Sequence, residues 1–106
     1  PHRLAAMLDD FAVAIADCQA RIAVATANGD IDELSREAHS LKGICLNFGA
    51  PALARAATEI EQLAKAANAA GCKAVLGPLA STVARTQAAA REQGRRWRDE
   101  AVDGSP

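Results

Sequence analysis

Leu4, Leu8, Phe11, Ile15, Cys18, Ile22 and Ala25 recur at alternating steps of four and three residues. Such spacing lines them up on one face of an α-helix, which turns about 100° per residue. The pattern predicts a first helix from about residue 3 to about residue 27, with room for a break near residues 8 to 10. Asn28-Gly29 then reads as a helix stop, because glycine enters the left-handed conformation without a Cβ clash. Leu34, Ala38, Leu41, Cys45 and Phe48 continue the rhythm in a second series. The run Asp30-Ile31-Asp32-Glu33 ahead of it resembles a capping box, an acid at the N-cap followed three residues later by glutamate. Acids in a first turn also complement the helix dipole. The second helix is expected to reach about Asn47.

Phe48-Gly49-Ala50-Pro51 forms the next turn, with Gly49 free to take positive φ and Pro51 suited to the first position of a helix. A third stripe follows through Leu53, Ala56, Ile60, Leu63, Ala64 and Ala67, leaving Glu59, Glu61, Gln62 and Lys65 on its borders or outside it. Gly71 is expected to end this helix. Cys72 to Gly77 fits either the first turn of a last helix or a separate turn, and Pro78 marks a helix start or a kink. Leu79, Val83, Thr86, Ala90 and Trp97 carry a final apolar face, with Val75, Leu76 and Trp97 expected at bundle ends. The tail after Glu100 is expected to be disordered. Four amphipathic helices on short connections predict one all-α domain over residues 1–106, an antiparallel up-down-up-down four-helix bundle.

Composition sharpens this picture. Half of the 106 residues are apolar, yet only 3% are aromatic and none is tyrosine. An alanine-rich apolar content favours closely packed helices over sheet. The net charge of −1 speaks against nucleic acid or an anionic membrane as the main partner. No apolar run approaches the roughly 20 residues of a membrane span, and no signal peptide is visible. A cytoplasmic location is the expectation. The start at Pro1 rather than methionine suggests a segment of a longer protein. Cys18, Cys45 and Cys72 are odd in number and widely spaced, so they read as reduced, packed thiols rather than metal ligands. Arg91, Arg95, Arg96 and Arg98 read as cations near a helix C-terminus on a solvated face.

The candidate chemistry lies within the second helix, in Ala38-His39-Ser40-Leu41-Lys42-Gly43. His39 falls about 140° from the centre of the apolar stripe, so its imidazole points to solvent or to a partner. Lys42 and Gly43, one turn on, share its side. The site therefore offers an exposed nucleophile, a cation beside it and a position without a side chain. His2, at the chain start, has no such setting.

This run, followed by Gly49-Ala50 and Leu53, resembles the histidine-containing phosphotransfer (HPt) domains of bacterial phosphorelays, and the helix order extends the likeness over nearly the whole chain. The resemblance implies that His39 accepts and donates a phosphoryl group, Lys42 balances its charge and Gly43 leaves room for the incoming receiver domain. It also implies that Glu61 holds one imidazole nitrogen, which would leave the other free as nucleophile. Ser35, Arg36 and Leu46 are expected to line the partner surface, Leu46 because an exposed aliphatic side chain serves docking better than solvation. The implied partners are response-regulator receiver domains, with Mg²⁺ on the receiver, and the implied parent is a hybrid sensor histidine kinase, either cytoplasmic or membrane-bound. No metal or cofactor site is expected in this chain. It has no Walker motif or glycine-rich nucleotide loop, so no kinase activity of its own is expected. The competing reading is a non-catalytic docking or dimerisation bundle. It explains the helices but not the grouping of His39, Lys42 and Gly43. A metal-binding bundle would need inward carboxylates with an ExxH pair, which neither histidine supplies.

Overall fold

The computed structural model describes residues 2–103. Four helices follow in order: α1 His2–Asn28, α2 Ile31–Phe48, α3 Pro51–Lys65 and α4 Ala69–Asp103. Each packs on its neighbours in the chain, and α4 closes the ring against α1. This is the up-down-up-down bundle that short connections between amphipathic helices favour. Among the described residues there is no strand. The molecule measures 58 × 20 × 19 Å, its length set by α4, whose 35 residues span about 52 Å.

The core follows the predicted stripes. Ile15, Ile22, Leu34, Leu41, Leu53, Ile60, Leu79 and Val83 are all fully buried, with Cys18, Cys45 and Cys72 among them. The three cysteines are free thiols. Burial raises each thiol pKa, that of Cys45 to about 11, so none is a ready nucleophile.

The turns are built by local chemistry. Asp30 Oδ1 accepts a bond from the Glu33 N–H at 3.1 Å, as a cap should. The other half of the expected capping box does not form. The Asp30 N–H bonds to the Ala25 carbonyl, and Glu33 instead pairs with Arg36. Gly49 takes φ +68° at the end of α2, and the Ala50 N–H closes back on the Cys45 carbonyl at 2.8 Å.

Several boundaries differ from expectation. No break interrupts α1. At its start the seam rotates onto Ala5, which is buried, while Leu4 stays 49% exposed because α2 does not extend that far. Phe48 is likewise 38% exposed, lying at the end of α2 with its ring stacked on Phe11 at 4.6 Å. Helix α3 stops at Lys65, not at Gly71. Its left-handed residue is Ala67, at φ 54°, with the Asn68 N–H returning to the Leu63 carbonyl. Asn68 then caps α4 by accepting from the Gly71 N–H at 2.8 Å. Gly71 thus sits in the first turn of α4, where an added Cβ would lie 2.7 Å from the Asn68 amide. Pro78 lies inside α4 on an exposed turn, where water can satisfy the carbonyl its missing N–H leaves free. The chain is still helical at Asp103, beyond the point where disorder was expected, and residues 104–106 lie outside the described residues.

Candidate functional site

His39 stands near the middle of α2, facing away from the seam of Leu34, Ala38, Leu41 and Cys45. Its side chain is 70% exposed, yet one edge of the ring is held. Nδ1 lies 2.8 Å from Oε2 of Glu61 on α3. The other carboxylate oxygen, Oε1, accepts a bond from Lys42 Nζ at 3.1 Å. Lys65, one turn after Glu61, brings its ammonium to 3.7 Å from Oε2. A single carboxylate therefore ties α2 to α3 and organises an imidazole and two cations.

Glu61 was expected on the border of its stripe, and it is buried, at 7% exposure. Burial alone would favour its neutral form. The Lys42 hydrogen bond outweighs that, and with the His39 contact and the charges of Lys42 and Lys65 it lowers the Glu61 pKa. An ionised carboxylate can only accept, so a hydrogen bond to His39 requires the proton on Nδ1. The neutral ring then carries its lone pair on Nε2, at the opposite, solvent-facing edge.

Gly43 lies one turn beyond His39, and a Cβ built there would touch nothing within 4 Å. No internal contact requires glycine at this position, although glycine inside a helix costs about 1 kcal/mol relative to alanine. Leu46 is 65% exposed and lines a depression of about 370 Å³ with Lys42, Ala54, Arg55, Thr58 and Gln62. Ser35 is half-buried one turn before His39. Arg36 is exposed and bound to Glu33 at 2.5 Å, on the preceding turn of its own helix. The structure brings His39, Lys42 and Glu61 into direct contact, while Ser35, Arg36, Gly43 and Leu46 surround them without touching the carboxylate. Lys65 and the α3 wall of the depression were missed. The signal for Lys65 was its position four residues after Glu61, readable once Glu61 itself was placed.

Within the basic C-terminal run, Arg95 and Arg96 pair with Glu92 on their own helix, and Arg98 reaches Asp9 of α1 at 2.5 Å. Among the described residues no group of three or more His, Cys, Asp or Glu could hold a metal ion. No helix among them is long and apolar enough to cross a membrane.

The family model described as Hpt domain matches residues 6–99. Comparison with curated proteins and with solved structures finds no significant match.

Proposed function

We propose that this chain, which belongs to the Hpt domain family, takes a phosphoryl group onto His39 from the aspartyl phosphate of a receiver domain and passes it to a second receiver. Hpt domains act by histidine phosphotransfer in phosphorelays and interact with receiver domains. The observation that supports His39 as the carrier is its 2.8 Å bond to a buried carboxylate on an otherwise exposed ring.

The step is an in-line displacement. The Nε2 lone pair attacks phosphorus as the bond to the aspartyl oxygen breaks, and that carboxylate leaves with the electron pair. An N–P bond forms, and the ring gains positive charge while keeping its Nδ1 proton. Glu61, facing that proton, stabilises the charge. Lys42 and Lys65 offset the negative charge of the phosphoryl group. In a loose transition state, such positioning and charge balance provide most of the catalysis. Mg²⁺ belongs in this reading to the receiver. Gly43 and Leu46 form the surface the receiver approaches, the first by leaving space and the second by offering apolar area. The parent in this reading is a hybrid histidine kinase, with the domain on its cytoplasmic side.

The test is phosphotransfer from a phosphorylated receiver, with Mg²⁺, to the wild-type chain and to His39→Gln. The wild type should acquire acid-labile, base-stable phosphate and the variant none, with helicity unchanged because His39 is exposed. Phosphate retained by His39→Gln would overturn the assignment.

A further inference from the structure

Helices α2 and α3 run antiparallel, and two stripes of side chains face each other across their junction. His39 stands opposite Glu61, and Lys42 reaches the same carboxylate from one turn further along α2. The next turn of α2 carries Leu46, with Ala54 and Thr58 on the facing stretch of α3. Leu46 is large and exposed while Ala54 is small and buried, so the surface dips between the helices. This dip is the depression of about 370 Å³ that begins at Lys42. Thr58 returns its hydroxyl to the Ala54 carbonyl at 2.9 Å, so its polar group is satisfied within α3. The floor is therefore apolar and asks no hydrogen bond of a partner.

The rim is charged. Lys42 belongs both to it and to the His39 site, and Arg55 and Glu59 stand on the α3 side. Arg21 and Arg36 are each bound to a glutamate, Glu37 and Glu33. Arg55 is exposed and, among the described residues, forms no salt bridge, not even with Glu59 one turn away. Leu46 lies seven residues from His39, about 10 Å along α2. A standard interface of about 800 Å² per partner is a patch of about 16 Å radius. A protein that brings a phosphoryl group to His39 Nε2 therefore covers the depression and its rim as well.

We propose, resting on the phosphotransfer reading, that this depression selects among receivers. It takes one large apolar side chain of the receiver, and Arg55 pairs with a carboxylate beside that side chain. The apolar group anchors the complex, because binding energy concentrates in a desolvated pocket inside the contact patch. Arg55 supplies the discrimination. A receiver with lysine or arginine in place of the carboxylate sets like charges against each other, and that opposition rejects it. The selection acts on docking, since Leu46 is about 10 Å from the ring where the N–P bond forms.

Docking is read without phosphate, by titrating unphosphorylated receiver domains into the ¹⁵N-labelled 106-residue chain and following its amide shifts. Leu46→Ala should weaken docking roughly tenfold. Arg55→Glu should weaken it about three- to tenfold at low salt and by less at about 0.5 M salt, while Arg55→Lys keeps most of the affinity. Reversing the receiver's carboxylate to lysine should restore docking to Arg55→Glu and impair it on the wild type. Both side chains are exposed, so circular dichroism should stay unchanged. Docking indifferent to Leu46→Ala or to Arg55→Glu would overturn the proposal, as would the absence of any receiver carboxylate whose reversal rescues Arg55→Glu. Receivers that never dock, or that shift only amides of α1 and α4, would overturn it too. The phosphotransfer reading fails separately, if a phosphorylated receiver docks and His39 takes no phosphate.

Discussion

Replacing Glu61 by alanine removes the carboxylate that joins His39 and Lys42, and both consequences can be scaled. The His39 bond is charge-assisted at 2.8 Å, so it favours the Nδ1–H tautomer by about 1.5–3 kcal/mol. At 1.36 kcal/mol per factor of ten, this is a roughly 10- to 150-fold bias toward a ring with Nε2 free. Stability should change much less. His39 is 70% exposed and Lys42 28%, so both regain water when the carboxylate goes. A net loss of about 1 kcal/mol is expected. For a domain of this size that lowers the melting temperature by about 4–8 °C. Two measurements check the reasoning: the rate of phosphoryl transfer from a phosphorylated receiver, and the tautomer from imidazole ¹⁵N shifts. Glu61→Ala should transfer more slowly, because the Nε2-free tautomer no longer dominates and the charge developing on the ring loses its partner, and should show a mixed tautomer while remaining folded. An unchanged rate, or a ring still protonated only at Nδ1, would refute the role given to Glu61.

The Glu61 carboxyl also carries a pH signature. Its pKa lies below the ordinary 4.5, so its contribution to stability is complete above that value and is lost as pH falls through the depressed folded-state value. Urea midpoints of wild type and Glu61→Gln should therefore differ most near neutrality and converge on acidification. Gly43→Ala should stabilise α2 by about 0.5–1 kcal/mol in chemical denaturation, since no neighbour opposes the methyl group. Gly43→Leu should remain folded yet transfer poorly, and normal transfer would remove the docking role of this position. Gly49→Ala should destabilise by about 1 kcal/mol through its positive φ of 68°, despite the open space around it. Cys18, Cys45 and Cys72 should react with a chromogenic disulfide reagent only when denaturant opens the core, because burial both hides them and keeps them protonated.

Much of this protein was legible in short stretches of its sequence. The four-three rhythm of Leu8 to Ala25 and of Leu34 to Cys45 marks two helices and their buried faces, because the period of an α-helix is local. The same period places His39 outside the core without reference to any other helix. Gly29 and Gly49 announce their turns because the backbone at both positions takes the left-handed conformation, which glycine enters without a Cβ clash. The stop of α3 escaped the same rule, since the left-handed residue there is Ala67 and the nearest glycine, Gly71, serves close packing on Asn68. Pro78 signalled a boundary that the helix passes through, because α4 is held by its packing as well as by its ladder.

What periodicity could not supply is how one helix is rotated against another. Whether Glu61 is a surface acid on the edge of α3 or a buried carboxylate under His39 depends on that rotation, which the whole core decides. Leu4 shows the same limit: its place in the α1 stripe is local, but its exposure follows from α2 ending at Phe48. The sequence by itself determined the helices, their buried stripes and the outward histidine, because hydrogen bonds and hydrophobic period act within about a turn. Only the tertiary structure decided that Glu61 meets His39 and Lys42 and that the α1–α4 seam runs on uncovered, because both are contacts between helices far apart in the chain.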